Sequence, residues 1–289
     1  PVKKSLVTLH LAVVLLGGTG LFSKIIPLNA IDITLGRSLF ACLALCLFVR
    51  AGREHLRLER RLDYFIAIGL GVLMAAHWAT YFASMQYAGV SVGMIAMFTF
   101  PVITVLLEPL FEKTRLAWQD MLSALVVVIG IVLIVPEISL DNDVTLGVGL
   151  GVISAVLYAV RNLSLRKYFS HYSGARSMAW QTLIIVLCLL PFSDLTSTQQ
   201  DTSVWLLLLA LGTAFTALPH ALVANSLAHL RAKTFSLIAC MQPFYGVIFA
   251  IILLNESPGW QTLLGGILVT SASIYETVKT HKSASATNE

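Results

Sequence analysis

FPVITVLLEPLFEKTRLAWQ (Phe100–Gln119) and QPFYGVIFAIILLNESPGWQ (Gln242–Gln261) are the two stretches whose reading decides the fold. Each has proline at its second position, then a long apolar run, a short polar turn and a Trp-Gln pair. Proline inside an apolar helix removes a backbone hydrogen bond and bends the rod, so its recurrence at one place in two copies marks a repeat. A shift of 142 residues superposes Pro101 on Pro243 and Trp118-Gln119 on Trp260-Gln261. Without a gap it also carries Ser84 onto Ser226, Leu45-Cys46-Leu47 onto Leu187-Cys188-Leu189, and Lys24 onto Arg166.

Composition sets the class. Of 289 residues, 57% are hydrophobic and 12% charged, where a soluble domain carries about 25% charged. Apolar runs recur from end to end, so the expected fold is an all-α polytopic membrane protein. The net charge of +4 is explained by topology and gives no nucleic-acid signal. Cys42, Cys46, Cys188 and Cys240 lie within apolar runs and read as small buried hydrophobes. No metal site and no cofactor motif is present. PVKKSLVTLHLAVVLLGGTGLF at the start has the look of a signal peptide. With so many apolar runs after it, it reads as a first span.

A helix needs about 20 apolar residues to cross a bilayer. Ten segments qualify, at about residues 5–26, 31–49, 64–85, 90–111, 118–135, 147–165, 175–192, 203–228, 233–254 and 258–278. The breaks alternate between turn-rich loops such as PEISLDNDVT and basic ones such as RAGREHLRLERRLD. All the Lys and Arg except Lys24 and Arg37 fall at the basic ends and loops. Cytoplasmic loops collect such residues, which places both termini in the cytoplasm of a bacterial-type inner (plasma) membrane. Five spans per half is odd, so the second half enters from the other side. The expected architecture is therefore ten transmembrane helices as two inverted five-helix repeats, residues 1–142 and 143–289. Such symmetry suits alternating access around a site near the midplane.

Ten spans as five plus five, a proline in spans 4 and 9, and a short acidic turn before the next span resemble the EamA branch of the drug/metabolite transporter superfamily. The matching residues are Pro243, Glu256 and Gly265-Gly266 in the second half, and Pro101 with its following turn in the first. The family usually has Gly before that Glu; this chain has Asn255, and Thr114 stands at the register position of Glu256. The resemblance implies a transporter of small organic solutes, with a central cavity lined mainly by spans 1, 3, 4, 6, 8 and 9.

Within those spans His77 lies about 20 Å deep by helical rise. Under the 142-residue shift His77-Trp78 meet Pro219-His220. Ionisable groups at such depth are functional candidates. The two histidines read either as cavity and proton-coupling groups or as neutral rings bonded to a neighbouring helix. Tyr81 shares the His77 face. With Trp78, Phe98, Phe100 and Tyr245 it forms an expected aromatic wall. Thr99 and Gln242 flank the prolines, and Tyr158, Arg161 and Asn162 occupy the stretch of span 6 equivalent to GGTGLFSK (Gly17–Lys24). The substrate-binding set is thus His77, Trp78, Tyr81, Phe98, Thr99, Tyr158, His220, Gln242 and Tyr245. Pro101, Pro243 and Gly18 are expected to gate or kink. Arg161 reads as snorkelling to the cytoplasmic interface. Arg37 reads as snorkelling, pairing with Asp32, or binding a carboxylate. Glu108 reads as interfacial, within reach of Lys113 or Arg115.

The function expected is a secondary transporter, working as an exporter of small organic metabolites such as amino acids, by alternating access. Its partners are a small-molecule substrate and the lipid bilayer, with no nucleic acid, and it acts as a monomer or homodimer. One alternative is an importer or facilitator of a vitamin or nucleobase-like solute. Another is an intramembrane enzyme using the two histidines. No hydrolase, nucleotide-binding or metalloprotease motif supports an enzyme.

Overall fold

The computed structural model describes residues 2–195, 199–227 and 238–286. Among them the chain forms ten helical rods and no strand. Helix α1 runs Val2–Gly18, tightens to a 3₁₀ turn at Thr19–Leu21 and ends in Phe22–Ile25. Then follow α2 (Ala30–Ala51), α3 (Arg61–Ala88), α4 (Val90–Met97 and Phe100–Phe111) and α5 (Trp118–Ile134). The second half comprises α6 (Asp143–Tyr168), α7 (Gly174–Leu189), α8 (Thr202–Gly212, a π-turn at Thr213–Ala217, and Leu218–Leu227), α9 (Gln242–Leu254) and α10 (Trp260–Ala286). The expected boundary between spans 8 and 9, with Arg231 and Lys233, lies outside the described residues.

Seven of these rods are long and apolar enough to cross a membrane. Trp118–Ile134 and Gln242–Leu254 are apolar but shorter. Helix α10 is long, but Ser271, Ser273, Tyr275 and Glu276 dilute its hydropathy. Large apolar side chains face outward along the rods, among them Leu47, Phe65 and Ile252, each more than 60% exposed. Lipid is the medium in which such a surface is favourable, and helices satisfy their own backbone there.

Side-chain caps fix where helices begin. Asn29 accepts from the Asp32 amide to start α2, Asn142 from Val144 and Thr145 to start α6, and Ser173 from Arg176 to start α7. The connections fall alternately at two ends of the bundle. At the basic end, Tyr172 Oη accepts from the Glu59 amide at 2.7 Å, and Trp180 Nε1 donates to Leu56 O at 2.7 Å. At the opposite end, Gln86 Nε2 donates to Leu28 O and Ser193 Oγ to Asp32.

Small residues bring the halves together. A Cβ on Gly147 of α6 would stand 2.4 Å from Ala88 Cβ of α3, and Ser84 Oγ donates to Gly147 O at 2.6 Å. Gly18, expected to gate, lies where α1 tightens to 3₁₀, and Phe215 of α8 stands 2.8 Å from where its Cβ would be. One apolar cluster spans both halves, from Phe22, Phe82 and Met94 to Leu208 and Ala250.

The prolines act differently from a mid-helix kink. Helix α4 stops at Met97 and restarts at Phe100, with Pro101 in the first turn of the new segment. Helix α9 starts at Gln242 with Pro243 in its first turn. Proline fits a first turn because the amide it lacks would be unpaired there. Both prolines thus open a helical segment, at starts related by the same 142-residue register.

Candidate functional site

A cavity of about 690 Å³ lies between the halves and reaches the basic end at Phe169, Ser170 and Tyr172. All six expected spans contribute, and so do α2 through Arg37, α7 through Ser177 and Met178, and α10 through Thr277. A second cleft of about 770 Å³ sits at the opposite end, around Lys24, Gly89 and Glu256. The inner cavity, with Arg37, Arg161, His77 and His220 on its wall, is the stronger candidate.

The wall of the inner cavity is aromatic. His77 stacks on Tyr158 at 4.6 Å and lies parallel to Tyr81 at 6.0 Å. Phe100 meets Tyr158 edge-on at 4.9 Å and Phe98 at 5.5 Å. Two helices hold the His77 ring: its Nδ1 lies 2.7 Å from Ser154 Oγ and 3.1 Å from Ser154 O, while Ser154 Oγ donates to His77 O. Tyr81 is 3% exposed, and its hydroxyl has no hydrogen-bond partner among the described residues.

His77, Trp78, Tyr81, Phe98, Tyr158, His220 and Gln242 line this cavity, with Pro101 beside them. Thr99 and Tyr245 of the expected wall do not, nor do Pro243 and Gly18 of the expected gating set. The Thr99 hydroxyl turns back to Ala96 O at 2.8 Å, closing the break in α4. Tyr245 packs among Leu9, Val13 and Ile238 and against Gly17. Pro243 is buried in the turn that starts α9.

The arginines also differ from their expected roles. Arg37 neither snorkels nor pairs with Asp32, which is engaged by Ser193 and the Asp194 amide. Its guanidinium lies 3.9 Å from the Trp78 ring, and Nε donates to Thr216 Oγ1 at 2.8 Å. Thr216 belongs to the π-turn, and Leu211 O accepts from its hydroxyl. π-Turns often occur where a helix meets a functional group. His220 Nδ1 lies 2.6 Å from Thr216 O, so one turn of α8 seats both Arg37 and His220. Arg161 is turned inward, not toward the interface: Nε donates to Gln181 Oε1, Nη1 to Asn162 and Nη2 to Met178 Sδ. Gln181 is steadied by Ser177. Gln181 and Thr216 escaped the sequence reading; the signal available was a polar side chain inside an apolar run.

Each end has its own polar cluster. At the basic end Glu108 pairs with Arg166 at 2.6 Å, where Lys113 or Arg115 was expected, and Arg166 also holds Glu112 at 2.8 Å. At the opposite end Glu256 accepts from the Val90 amide at 2.7 Å, the Ser91 amide at 3.0 Å and Ser91 Oγ at 2.7 Å. It caps α4 where Gly89, at φ +91°, turns the chain. Lys24 Nζ donates to Gln86 O at 2.7 Å beside it.

Apolar rods, a surface suited to lipid, and an aromatic cavity between two sequence-related halves define a multi-pass membrane transporter. The chain belongs to the EamA-like transporter family, whose model matches it twice, over residues 3–135 and 145–275. A Bacillus subtilis (strain 168) protein named "Uncharacterized transporter YxxF" is 23% identical over 297 residues, spanning 99% of this chain and 93% of that protein. A solved structure described as "Crystal structure of protein" has a TM-score of 0.65 at 15% identity, covering 94% of this chain and 96% of that one. That likeness concerns the fold alone.

Proposed function

We propose that the chain is a secondary transporter that exports small organic metabolites, amino acids or related compounds among them, by alternating access. In this reading ten helices cross the inner membrane as two inverted five-helix repeats, with both termini in the cytoplasm. The observation that carries it is the inner cavity, built from both halves and extending to the basic end. With the basic end inside, the present conformation faces the cytoplasm, and Glu256, Ser91, Lys24 and Gln86 close the outer end. The matched helix starts at Phe100 and Gln242 supply paired positions where each half can bend. His77 and His220 contribute to the substrate wall, and proton coupling through them is part of the proposal.

The test is flux through purified, folded protein in liposomes, with labelled amino acids, vitamins and nucleobases, with and without a pH gradient. Saturable flux of one class supports the reading. No flux of any of them sinks it for those classes.

A further inference from the structure

The inner cavity is electrostatically one-sided. Arg37 is 3% exposed and Arg161 8%, and both line it. Among the described residues no carboxylate pairs with either, and no Asp or Glu lines the cavity. Other cations do meet carboxylates: Arg166 meets Glu108 and Glu112, Arg176 meets Glu54, and Lys279 meets Asp120. The groups around the two cavity arginines are neutral: the Trp78 face, Thr216, Gln181, Asn162 and Met178.

An unpaired guanidinium within a membrane is costly and marks a ligand path by default. Guanidinium offers five donors and no acceptor, in a fork that fits a carboxylate. The Tyr81 hydroxyl, lacking a partner, is a further donor on the same wall. The charged groups that face His77 and His220 across the cavity are these two arginines. An ammonium group here would meet two guanidinium charges and no carboxylate.

We infer that the cavity binds a small organic monoanion: a carboxylate on a flat, apolar or aromatic body. The carboxylate is held by Arg37 and Arg161 and accepts from Tyr81. The body lies against Trp78, Tyr158 and Phe100. A zwitterionic amino acid satisfies the arginines but leaves its ammonium without an acid, so it is a weaker ligand than the matching simple acid. This narrows the substrate class of the proposed transporter and rests on that reading for translocation, though not for binding.

The experiment uses triads that share one body and differ in head group: phenylacetate, phenylacetamide and phenethylamine; cinnamate, cinnamamide and cinnamylamine; indole-3-acetate, its amide and tryptamine. Ligand-induced thermal stabilisation of the purified full chain reads binding, and flux in liposomes reads transport. At least one acid is expected to bind ten-fold or more tighter than its amide and amine. That preference should be lost in Arg37→Gln and in Arg161→Gln, and partly kept in Arg37→Lys. Size-exclusion profiles matching wild type show that the variants fold. Equal or better binding of the amines or amides overturns the anion assignment; if they are moved, the transporter reading stands. Binding of an acid without movement retains the anion site and counts against transport. A folded protein that binds no member overturns the anion assignment, and the transporter reading is then decided by the flux screen of amino acids, vitamins and nucleobases. An acid preference unchanged in both glutamine variants overturns the roles given to the arginines.

Discussion

Glu256→Ala breaks three hydrogen bonds that tie the α9–α10 turn to the start of α4. A hydrogen bond to a charged group contributes about 1.5–3 kcal/mol and a helix cap about 1 kcal/mol. Glu256 is half-buried in a turn whose Asn255, Ser257 and Gly259 are exposed, so water replaces part of what is lost. A net loss of about 2 kcal/mol follows, well below the sum of three separate bonds. If the bonds exist only while the opposite end is closed, that end opens about 30-fold more often. Thr19, 2% exposed and on the cavity wall, reports the opening once changed to Cys in a background without Cys42, Cys46, Cys188 and Cys240. A membrane-impermeant maleimide applied from the Glu256 side of oriented liposomes should then label about 30-fold faster. Glu256→Gln keeps one acceptor but turns an amide NH₂ toward donors, so roughly a ten-fold rise is expected. Labelling within two-fold of wild type in Glu256→Ala would refute the latch.

Three further outcomes are expected. Gly147→Ala should be the harsher of two glycine substitutions, costing about 3 kcal/mol or more in detergent denaturation, because its Cβ meets Ala88 Cβ at 2.4 Å and the Ala88 backbone N at 2.7 Å. Gly36→Ala meets the end of the Leu208 side chain at 2.6 Å, a flexible group rather than backbone, so it should lower the melting temperature less. Burial raises the Tyr172 phenol pKa, and donation to Asp63 Oδ2 at 2.6 Å adds to the shift. A raised folded-state pKa gives stability that is present below the unfolded value of about 10 and is lost as pH rises through the folded one. Tyr172→Phe should therefore flatten the alkaline limb of the melting profile, and an unchanged limb would count against it. His77→Ala removes the ring between Tyr81 and Tyr158, and flux should fall at least ten-fold. If His77→Ala and His220→Ala leave flux and its pH profile intact, the histidines leave the proposed site.

The sequence carried the repeat because apolar runs and prolines keep register whatever packs against them. Shifted by 142 residues, Phe100 and Trp118 fall on Gln242 and Trp260, and all four residues start helical segments. It carried less of the site, because facing within a span depends on neighbours distant in the chain. Tyr245 and Phe98 look alike as aromatics beside a proline. Only the packing of α9 on Gly17 turns Tyr245 away from the cavity. Arg161 sits near a helix end, where snorkelling is the ordinary reading. Gln181, 20 residues on, draws it inward instead. Glu108 has two basic residues nearby in sequence, but its partner is Arg166, 58 residues away. Helix starts at Val90 and Trp118 fall where they were expected, whereas α6 starts at Asp143, four residues before the expected 147, because Asn142 caps it there.

The π-turn at Thr213–Ala217 has no counterpart in α3, which is α-helical from Arg61 to Ala88. A carrier with perfectly mirrored halves would have two end states of equal energy and no resting side. Here the π-turn stands in α8 and not in α3, and it is the turn that seats Arg37 from the first half. In the proposed inverted arrangement, flipping the carrier therefore does not exchange equivalent contacts. Under that proposal the empty protein would rest preferentially on one face, and substrate would supply the difference in binding free energy between the two states. Under the proposed cycle the same turn would give the loaded and the empty carrier unequal rates of reorientation.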